Sequence, residues 1–462
     1  LNKYRNEIFP TITYIVWKKT GGLDLMLPVL WKIRETYPNA KMTLLIAEIN
    51  KHHLIRDGVF YVRFCEHHNI ELLDFIDFLP NWLRPFRNLL RQLTKRAPVD
   101  GQSDNRVIDF VIGCVTKFLQ NKVNYANAVS VISADLLFIN HQWWNLLPKP
   151  LMDLIIKHHK KIMLVQHGPI TLAHEKPSDM QGRVMLRTNP YQYWFETPNG
   201  VGVYGHKIHG EHSLGFYESR QISLSDMGLK LEKSIELEQL TYVGFPGFDS
   251  HWFRYMENLT SNHSRFLQII PPKNRSLRCM FLTRDIVDIV DKRREKYTNH
   301  EFICILKILQ EEIHNLYDVE ILVKPHPKQN IVKLMGFLAE MGFRNAIVVA
   351  DSLFAVLPSV DFAITMQSTG AYYALIYGLP CIHMVKAKYA DHLELFNEME
   401  YNVQRVVSDV AELPTACRAL MQELHTSQRI ANDVKHMRKF YPDGAIELIM
   451  EQLSPYLLEQ SN

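Results

Sequence analysis

Residues 11–47 read TITYIVWKKTGGLDLMLPVLWKIRETYPNAKMTLLIA, and this stretch limits the possible folds more than any other part of the chain. Residues 11–17 mix β-branched and apolar side chains without a charge, as a strand buried on both faces does. A turn at Gly21-Gly22 follows, then a helical pattern carrying Leu27, Leu30, Trp31 and Ile33. The sequence YPNA breaks the helix, and residues 42–47 return to an apolar run. Strand, glycine turn, helix, strand is a βαβ unit, and a βαβ unit requires a parallel sheet. Further strands are expected at 107–112, 129–133, 135–140 and 162–166.

The second half repeats the rhythm. LRCMFLT (277–283) reads as a strand, 301–316 as a helix, VEILVKP (319–325) as a strand and 330–341 as a helix. NAIVVAD (345–351) and VDFAITM (360–366) give two more strands, and a helix opens near Gly370 and runs to Gly378. The expected organisation is α/β with two Rossmann-like parallel-sheet lobes facing a cleft. The first lobe spans 1–239 and the second 240–443, and a closing helix in 444–462 packs back toward the first lobe. Residues 172–239, rich in glycine, histidine and aromatics, read as loops over the cleft.

At 462 residues the chain is too long for one ordinary core, which agrees with two lobes. A net charge of +3 gives no concentrated basic surface of the kind a nucleic-acid binder shows. Six dispersed cysteines, with no C-x-x-C pair, argue against a zinc knuckle or a disulfide framework and suit a reducing compartment. No signal-peptide pattern opens the sequence and no apolar run is long enough to span a bilayer. The expected location is cytoplasmic.

In open parallel sheets ligands bind at the carboxyl ends of strands, so the residues just after each strand carry the functional expectations. The first such site is Lys324-Pro325-His326-Pro327. Each proline biases the residue before it away from helix, so Lys324 and His326 leave a strand end in fixed directions. A cation and an imidazole held there suit a phosphate and a ribose or base; an ordinary turn in which His326 caps a neighbour is the plainer alternative. The second site is Gln367-Ser368-Thr369-Gly370 at a helix start. A helix N-terminus attracts anions through its free N–H groups and dipole, and Gly370 permits close approach. Ser and Thr also cap helices that bind nothing. The third is His167 in KIMLVQHGPI (161–170), which follows an apolar strand of the first lobe. Its near-neutral pKa suits a general base, although a histidine at a strand end often has a structural role.

Two absences shape the chemistry expected. The chain has no Asp-x-Asp pair, which a metal-chelating sugar-nucleotide transferase uses to hold Mg²⁺ or Mn²⁺. Positive charge, helix dipoles and hydrogen bonds are then left to stabilise a leaving phosphate, with no metal and no cofactor. KKTGGLD lacks the P-loop pattern, so Gly21 and Gly22 are read as cleft-lining.

These motifs resemble those of GT-B glycosyltransferases of bacterial surface-polysaccharide synthesis, especially the capsule-synthesis and CDP-glycerol glycerophosphotransferase-like groups. VKPHP is similar to their His-Pro motif, and MQSTGAYYALIYGLPCI to the Ser/Thr-plus-EALxxGkPv segment that follows. VGFPGFD resembles the vGnPkfD stretch that often opens the second lobe. The resemblance implies donor contacts at Lys324, His326, Gln367, Ser368, Thr369 and Gly370, and places His167 near the reacting centre. It implies a nucleotide-activated donor, with CMP- or CDP-linked donors favoured, and a glycan or lipid-linked glycan acceptor. This chain differs from the pattern in having Tyr373 where EAL has its acid, and VQHGPI where the glycerophosphotransferases have WHGTPLK. A retaining route would need a carboxylate nucleophile, for which Asp135, Glu196 and Asp24 are the candidates. A hydrolysing UDP-sugar 2-epimerase and a non-catalytic nucleotide-sugar-binding partner remain the alternatives on such a fold.

One further stretch, PNWLRPFRNLLRQLTKR (80–96), sets five basic residues against leucines at helical spacing with no acid among them. Such a helix suits an anionic membrane surface, an acidic acceptor glycan or a plain solvated face. Peripheral contact with the inner face of the membrane is thus an expectation for 80–96.

Overall fold

The computed structural model describes residues 9–16, 21–46, 59–80, 82–83, 128–140, 162–165, 212–215, 240–242, 245–262, 273–274, 277–283, 298–326, 329, 331–343, 346–349, 351–366, 368, 370–385, 404–424 and 443–458, with a few isolated positions besides. The chain divides into two compact units. The first holds β1 (Thr11–Val16), β2 (Lys41–Ile46), β3 (Ile70–Asp74), β4 (Leu136–Asn140), β5 (Ile162–Val165), β6 (His212–Gly215) and β7 (Leu240–Tyr242). The second holds β8 (Leu277–Leu282), β9 (Val319–Lys324), β10 (Ile347–Val348), β11 (Phe362–Met366), β12 (Cys381–Met384) and β13 (Gln404–Val407).

Every strand pair in both sheets is parallel. The first sheet has the order β3-β2-β1-β4-β5-β6-β7 and the second β10-β9-β8-β11-β12-β13. Each therefore begins 3-2-1-4-5-6 in its own chain order, the doubly wound arrangement of a Rossmann sheet. Parallel strands buried on both faces need apolar runs, and TITYIV, LRCMFL and FAITM supply them.

Helix α1 (Gly21–Thr36) follows β1, with Asp24 in its first turn and Arg34 in its last, both favourable to the helix dipole. Its buried face comprises Leu23, Met26, Leu27, Leu30 and Ile33. The Arg34 guanidinium ties the helix end to the turn after α2 (Val59–His67), donating to the carbonyls of Pro38, His68 (2.7 Å) and Asn69 (2.9 Å). A short helix α3 (Val129–Ile132) of the first unit leads into β4. The second unit opens with α4 (Ser250–Asn262), which buries Trp252, Phe253, Met256 and Leu259 on one face. Helix α5 (Asn299–Ile308) starts in a Thr298/Glu301 capping box and continues as π-helix over Leu309–Asn315. Helices α6 (Ile331–Glu340), α7 (Leu353–Val356), α8 (Gly370–Tyr377) and α9 (Leu413–Glu423) complete that unit. One face of its sheet packs Phe281, Ile321, Val323 and Ile364 against Phe302, Leu306, Leu338 and Leu420 of the helices.

Four differences from the sequence reading have physical causes. Residues 129–133 form α3 instead of a strand, because a run of four apolar residues carries no period that separates helix from strand. The helix begins at Gly21 itself, so Gly21-Gly22 is the first turn of α1 and not a turn before it. Strand β6 lies within the stretch 172–239 that was read as loops. The boundary of the first unit falls after Asp249 instead of at 239, because β7 pairs with β6 in the first sheet. The expected strand at 107–112 and nearly all of the basic stretch 80–96 lie outside the described residues. Among the described residues no helix is long and apolar enough to cross a membrane.

The carboxyl-terminal helix α10 (Ala445–Leu458) belongs to the first unit and packs on α1. Its anchor is the acid of VGFPGFD. Asp249, 1 % exposed, accepts from the N–H groups of Gly444 (3.1 Å) and Ile446 (3.4 Å) with one oxygen. Those are helix-start donors that no intrahelical carbonyl can reach. Asp249→Ala is expected to lower stability by about 1–2 kcal/mol, the scale of a lost helix cap, with Asp249→Asn keeping most of it. Urea denaturation checks this, and an unchanged midpoint for the alanine variant would remove the anchor role.

Candidate functional site

Crossovers from β8 leave toward β9 on one side, and the chain later returns through β11 on the other. The carboxyl end of β8 is therefore a topological switch point, where Rossmann-like sheets leave a crevice for ligands. Register brings Lys324, Leu282, Thr365 and His383 into one row across β9, β8, β11 and β12. The row sits at the carboxyl edge. Its buried end is closed by a 2.5 Å hydrogen bond between the Thr365 hydroxyl and His383 Nδ1.

On the β9 side, Lys324 is half-buried, Pro325 is buried and His326 is half-buried. The segment is held by its main chain. Lys324 C=O accepts from Thr283 N–H at 3.1 Å, and His326 N–H donates to Thr283 Oγ1 at 3.3 Å. His326 C=O in turn accepts from the N–H of Gln329, itself 4 % exposed, at 2.8 Å. On the β11 side, half-buried Ser368 precedes α8. Its Oγ accepts from Gly370 N–H at 3.2 Å and its C=O from Ala371 N–H at 3.1 Å. Two of the N–H groups that the sequence reading offered to a phosphate are thus held by Ser368, and the dipole of α8 is what remains for an anion there.

Gly370 has a packing reason that the sequence did not reveal. A Cβ at this position would lie 2.8 Å from Leu282 Cδ2 and 3.3 Å from Cδ1. Glycine lets the start of α8 seat directly against the last residue of β8 without displacing the Leu282 side chain. The helix start and the Lys-Pro-His segment consequently flank the same strand end. Tyr373, at the place of the family's acid, is 6 % exposed and packs edge-on to Phe354 at 5.3 Å, so it serves the core.

In the first unit, Gly21 and Gly22 open α1 after the carboxyl end of β1, the strand at that sheet's own switch point. Asp24 is half-buried and its Oδ1 accepts from the Tyr61 hydroxyl at 3.0 Å. Asp135 lies at the opposite edge. It precedes β4, is 7 % exposed, and its Oδ2 accepts from Thr11 N–H (2.9 Å) and Thr11 Oγ1 (2.8 Å). That geometry makes it a clamp between the amino ends of β1 and β4, far from any strand's carboxyl end, and argues against a nucleophile. His167, Glu196, Gln367 and Thr369 lie outside the described residues.

Among the described residues of this edge, sequence reasoning passed over Thr283, Gln329, Thr365 and His383. The signal for Thr283 was available: it is the polar residue ending the apolar run LRCMFLT. Cys65, Cys279, Cys381 and Cys417 are buried, and burial pushes the thiols of Cys65, Cys381 and Cys417 up to about 12.

No family model and no curated protein sequence matches the chain. Solved structures do. Two structures of the wall teichoic acid polymerase TagF superpose with TM-scores of 0.52 and 0.51 at 12% and 13% identity. They cover 97% of this chain and 89% and 90% of theirs. The UDP-GlcNAc 2-epimerase of Neisseria meningitidis gives 0.50 at 12% identity, over 96% of this chain and 100% of the other. Identities this low speak to architecture alone, and with two doubly wound parallel sheets in sequence the chain has the GT-B fold.

Proposed function

We propose that the chain is a glycosyltransferase that moves a sugar, or an alditol phosphate, from a nucleotide-activated donor to a surface-polysaccharide acceptor. The observation that carries this reading is the pairing of Lys324-Pro325-His326 with the Ser368–Gly370 helix start on either side of the β8 end. A cation, an imidazole and a helix dipole at one switch point suit the phosphates of a departing nucleotide. In this reading His167 takes the proton of the attacking acceptor hydroxyl, and Lys324 and His326 hold the charge that develops on the leaving phosphate. Cytidine-activated donors are preferred on the resemblance of the Lys-Pro-His-Pro motif, and the acceptor is a glycan or lipid-linked glycan met at the cytoplasmic face of the membrane. Of the proteins sharing the fold, TagF was solved after a soak with CDPG.

The test begins with a thermal-shift panel of CMP, CDP, UMP, UDP and GDP, followed by calorimetry with the best of them. Lys324→Ala and His326→Ala are each expected to lose about 1.5–3 kcal/mol of nucleotide affinity, the range for a charge-assisted hydrogen bond. Unchanged affinity in both variants would put the donor site elsewhere. Incubation with a sugar nucleotide alone separates the chemistry: rapid acceptor-free conversion would favour a hydrolysing epimerase. Binding without turnover on any acceptor would leave a non-catalytic partner.

A further inference from the structure

The segment Lys324-Pro325-His326 has lost the means of holding itself to its neighbour by the sheet ladder. β9 ends at Lys324, and Pro325 has no N–H to donate. Besides the bond from Gln329 N–H to His326 C=O, the segment is tied to the residue that follows the adjacent strand. Thr283, 1 % exposed and the first residue past β8, binds it at both ends: its N–H donates to Lys324 C=O, and its Oγ1 accepts from His326 N–H. The two bonds straddle the proline. They set the peptide plane on each side of it, and with those planes the directions in which the Lys324 and His326 side chains leave the backbone.

The hydroxyl also stays where it is put. Thr283 is β-branched, so its χ1 is stiff, and the residue is enclosed between the Lys-Pro-His segment and the β11 side of the sheet. The main-chain bond from Thr283 N–H to Lys324 would survive any side chain at 283. The bond to His326 would not survive an apolar side chain, which supplies no acceptor. His326 is thus the member of the pair whose placement depends on the chemistry of residue 283.

We propose that Thr283 is the positioning residue of the donor site, its hydroxyl fixing the His326 main chain and with it the direction in which the imidazole leaves toward the anionic part of the bound nucleotide. The inference rests on the donor-site reading above and adds to it a residue that touches neither nucleotide nor acceptor. Pre-aiming the imidazole means that binding does not have to order it, so removal of the hydroxyl weakens affinity through His326 alone.

A double-mutant cycle read by calorimetry with CDP and with UDP tests this. Thr283→Val is expected to weaken binding of the preferred nucleotide about tenfold, while Thr283→Ser stays within about twofold of the parent. In the His326→Ala background, Thr283→Val should cost less than about twofold, since the group it positions is gone. The dependence of affinity on pH between 5.5 and 8, where imidazole titrates, should flatten in Thr283→Val as it does in His326→Ala; a purely structural role would leave it unchanged. If Thr283→Val does not keep the near-UV circular dichroism of the parent, Thr283→Ala takes its place in the cycle. Parent-like affinity for Thr283→Val beside a weakened His326→Ala overturns the inference and leaves the donor-site reading standing. So does a full tenfold cost in the His326→Ala background. An unchanged His326→Ala overturns the reading, and the inference with it.

Discussion

Glu320→Ala is expected to lower the stability of the second unit by about 3–5 kcal/mol, the loss found when one partner of a buried ion pair is removed. Arg278 of β8 and Glu320 of β9 are register partners, 1 % and 7 % exposed. Arg278 Nε and Nη2 both lie 2.6 Å from Glu320 Oε2. Without the carboxylate a guanidinium stays buried between two strands, and hydrating it means opening the sheet. The main-chain N–H of Arg278 is separately bound to Asp361 at 2.7 Å, so the arginine cannot swing away with its strand end. Replacing both partners by Met and Leu should recover most of the loss, because it is the unpaired charge that destabilises. Four residues separate Arg278 from Leu282, about 13 Å along the strand. Nucleotide affinity of the folded protein should therefore be unaffected. Urea denaturation with hydrogen exchange at the β8 and β9 amides measures the effect. A loss below about 1 kcal/mol would mean that water reaches Arg278 in the native state.

That ion pair was not visible in the sequence. LRCMFL and VEILVK read as strands because their apolar residues dominate, and the arginine and glutamate within them look like exceptions until the register opposes them. The same limit explains Asp135. An acid just before an apolar strand resembles an active-site carboxylate, yet in three dimensions it bridges two strand beginnings. The chain in fact repeats the device: Ser133-Ala134-Asp135 precedes β4, and Ser359-Val360-Asp361 precedes β11. Asp135 binds the start of β1 and Asp361 the start of β8, the first strand of each sheet. Reading the two halves against each other would have marked both acids as structural.

Buried parallel strands were legible because apolar and β-branched residues dominate β1, β2, β8, β9 and β11. The short strands β12 (CIHM) and β13 (QRVV), the latter at the sheet edge, were not, since four residues that include a histidine or an arginine carry no strand period. The residues of the β8 edge were half legible. Prolines flanking His326 announce a held imidazole, but what holds it is Thr283, 43 positions earlier in the chain. Gly370 was marked by its place in a Ser-Thr-Gly helix start; its actual neighbour, Leu282, is more remote still in sequence.

His167→Ala is expected to reduce transfer by about 10²-fold or more while leaving nucleotide affinity close to that of the parent. At 25 °C that factor corresponds to about 2.7 kcal/mol of transition-state stabilisation. The argument starts from β5, which ends at Val165 and runs parallel to the rest of its sheet. The chain therefore leaves β5 from the carboxyl edge of the first sheet, and His167 is the second residue after it. A histidine there belongs to a different unit from Lys324 and His326, so the two kinds of variant should separate cleanly. Loss of the proposed base is expected to lower kcat with little change in nucleotide Kd, and loss of the proposed donor contacts to weaken Kd directly. His167→Gln, which keeps hydrogen bonding but cannot titrate near neutrality, should be nearly as impaired as the alanine variant. The acid limb of the pH–rate profile, set by an imidazole that must be neutral to accept a proton, should disappear from the residual activity of both. Transfer by the parent should also survive EDTA, because the sequence has no Asp-x-Asp pair to hold a divalent ion. Activity lost to EDTA and restored by Mg²⁺ would replace the metal-free route with a metal-assisted one. A His167→Ala enzyme that transfers at the parent's rate would return the histidine to the structural role that a strand-end residue often has.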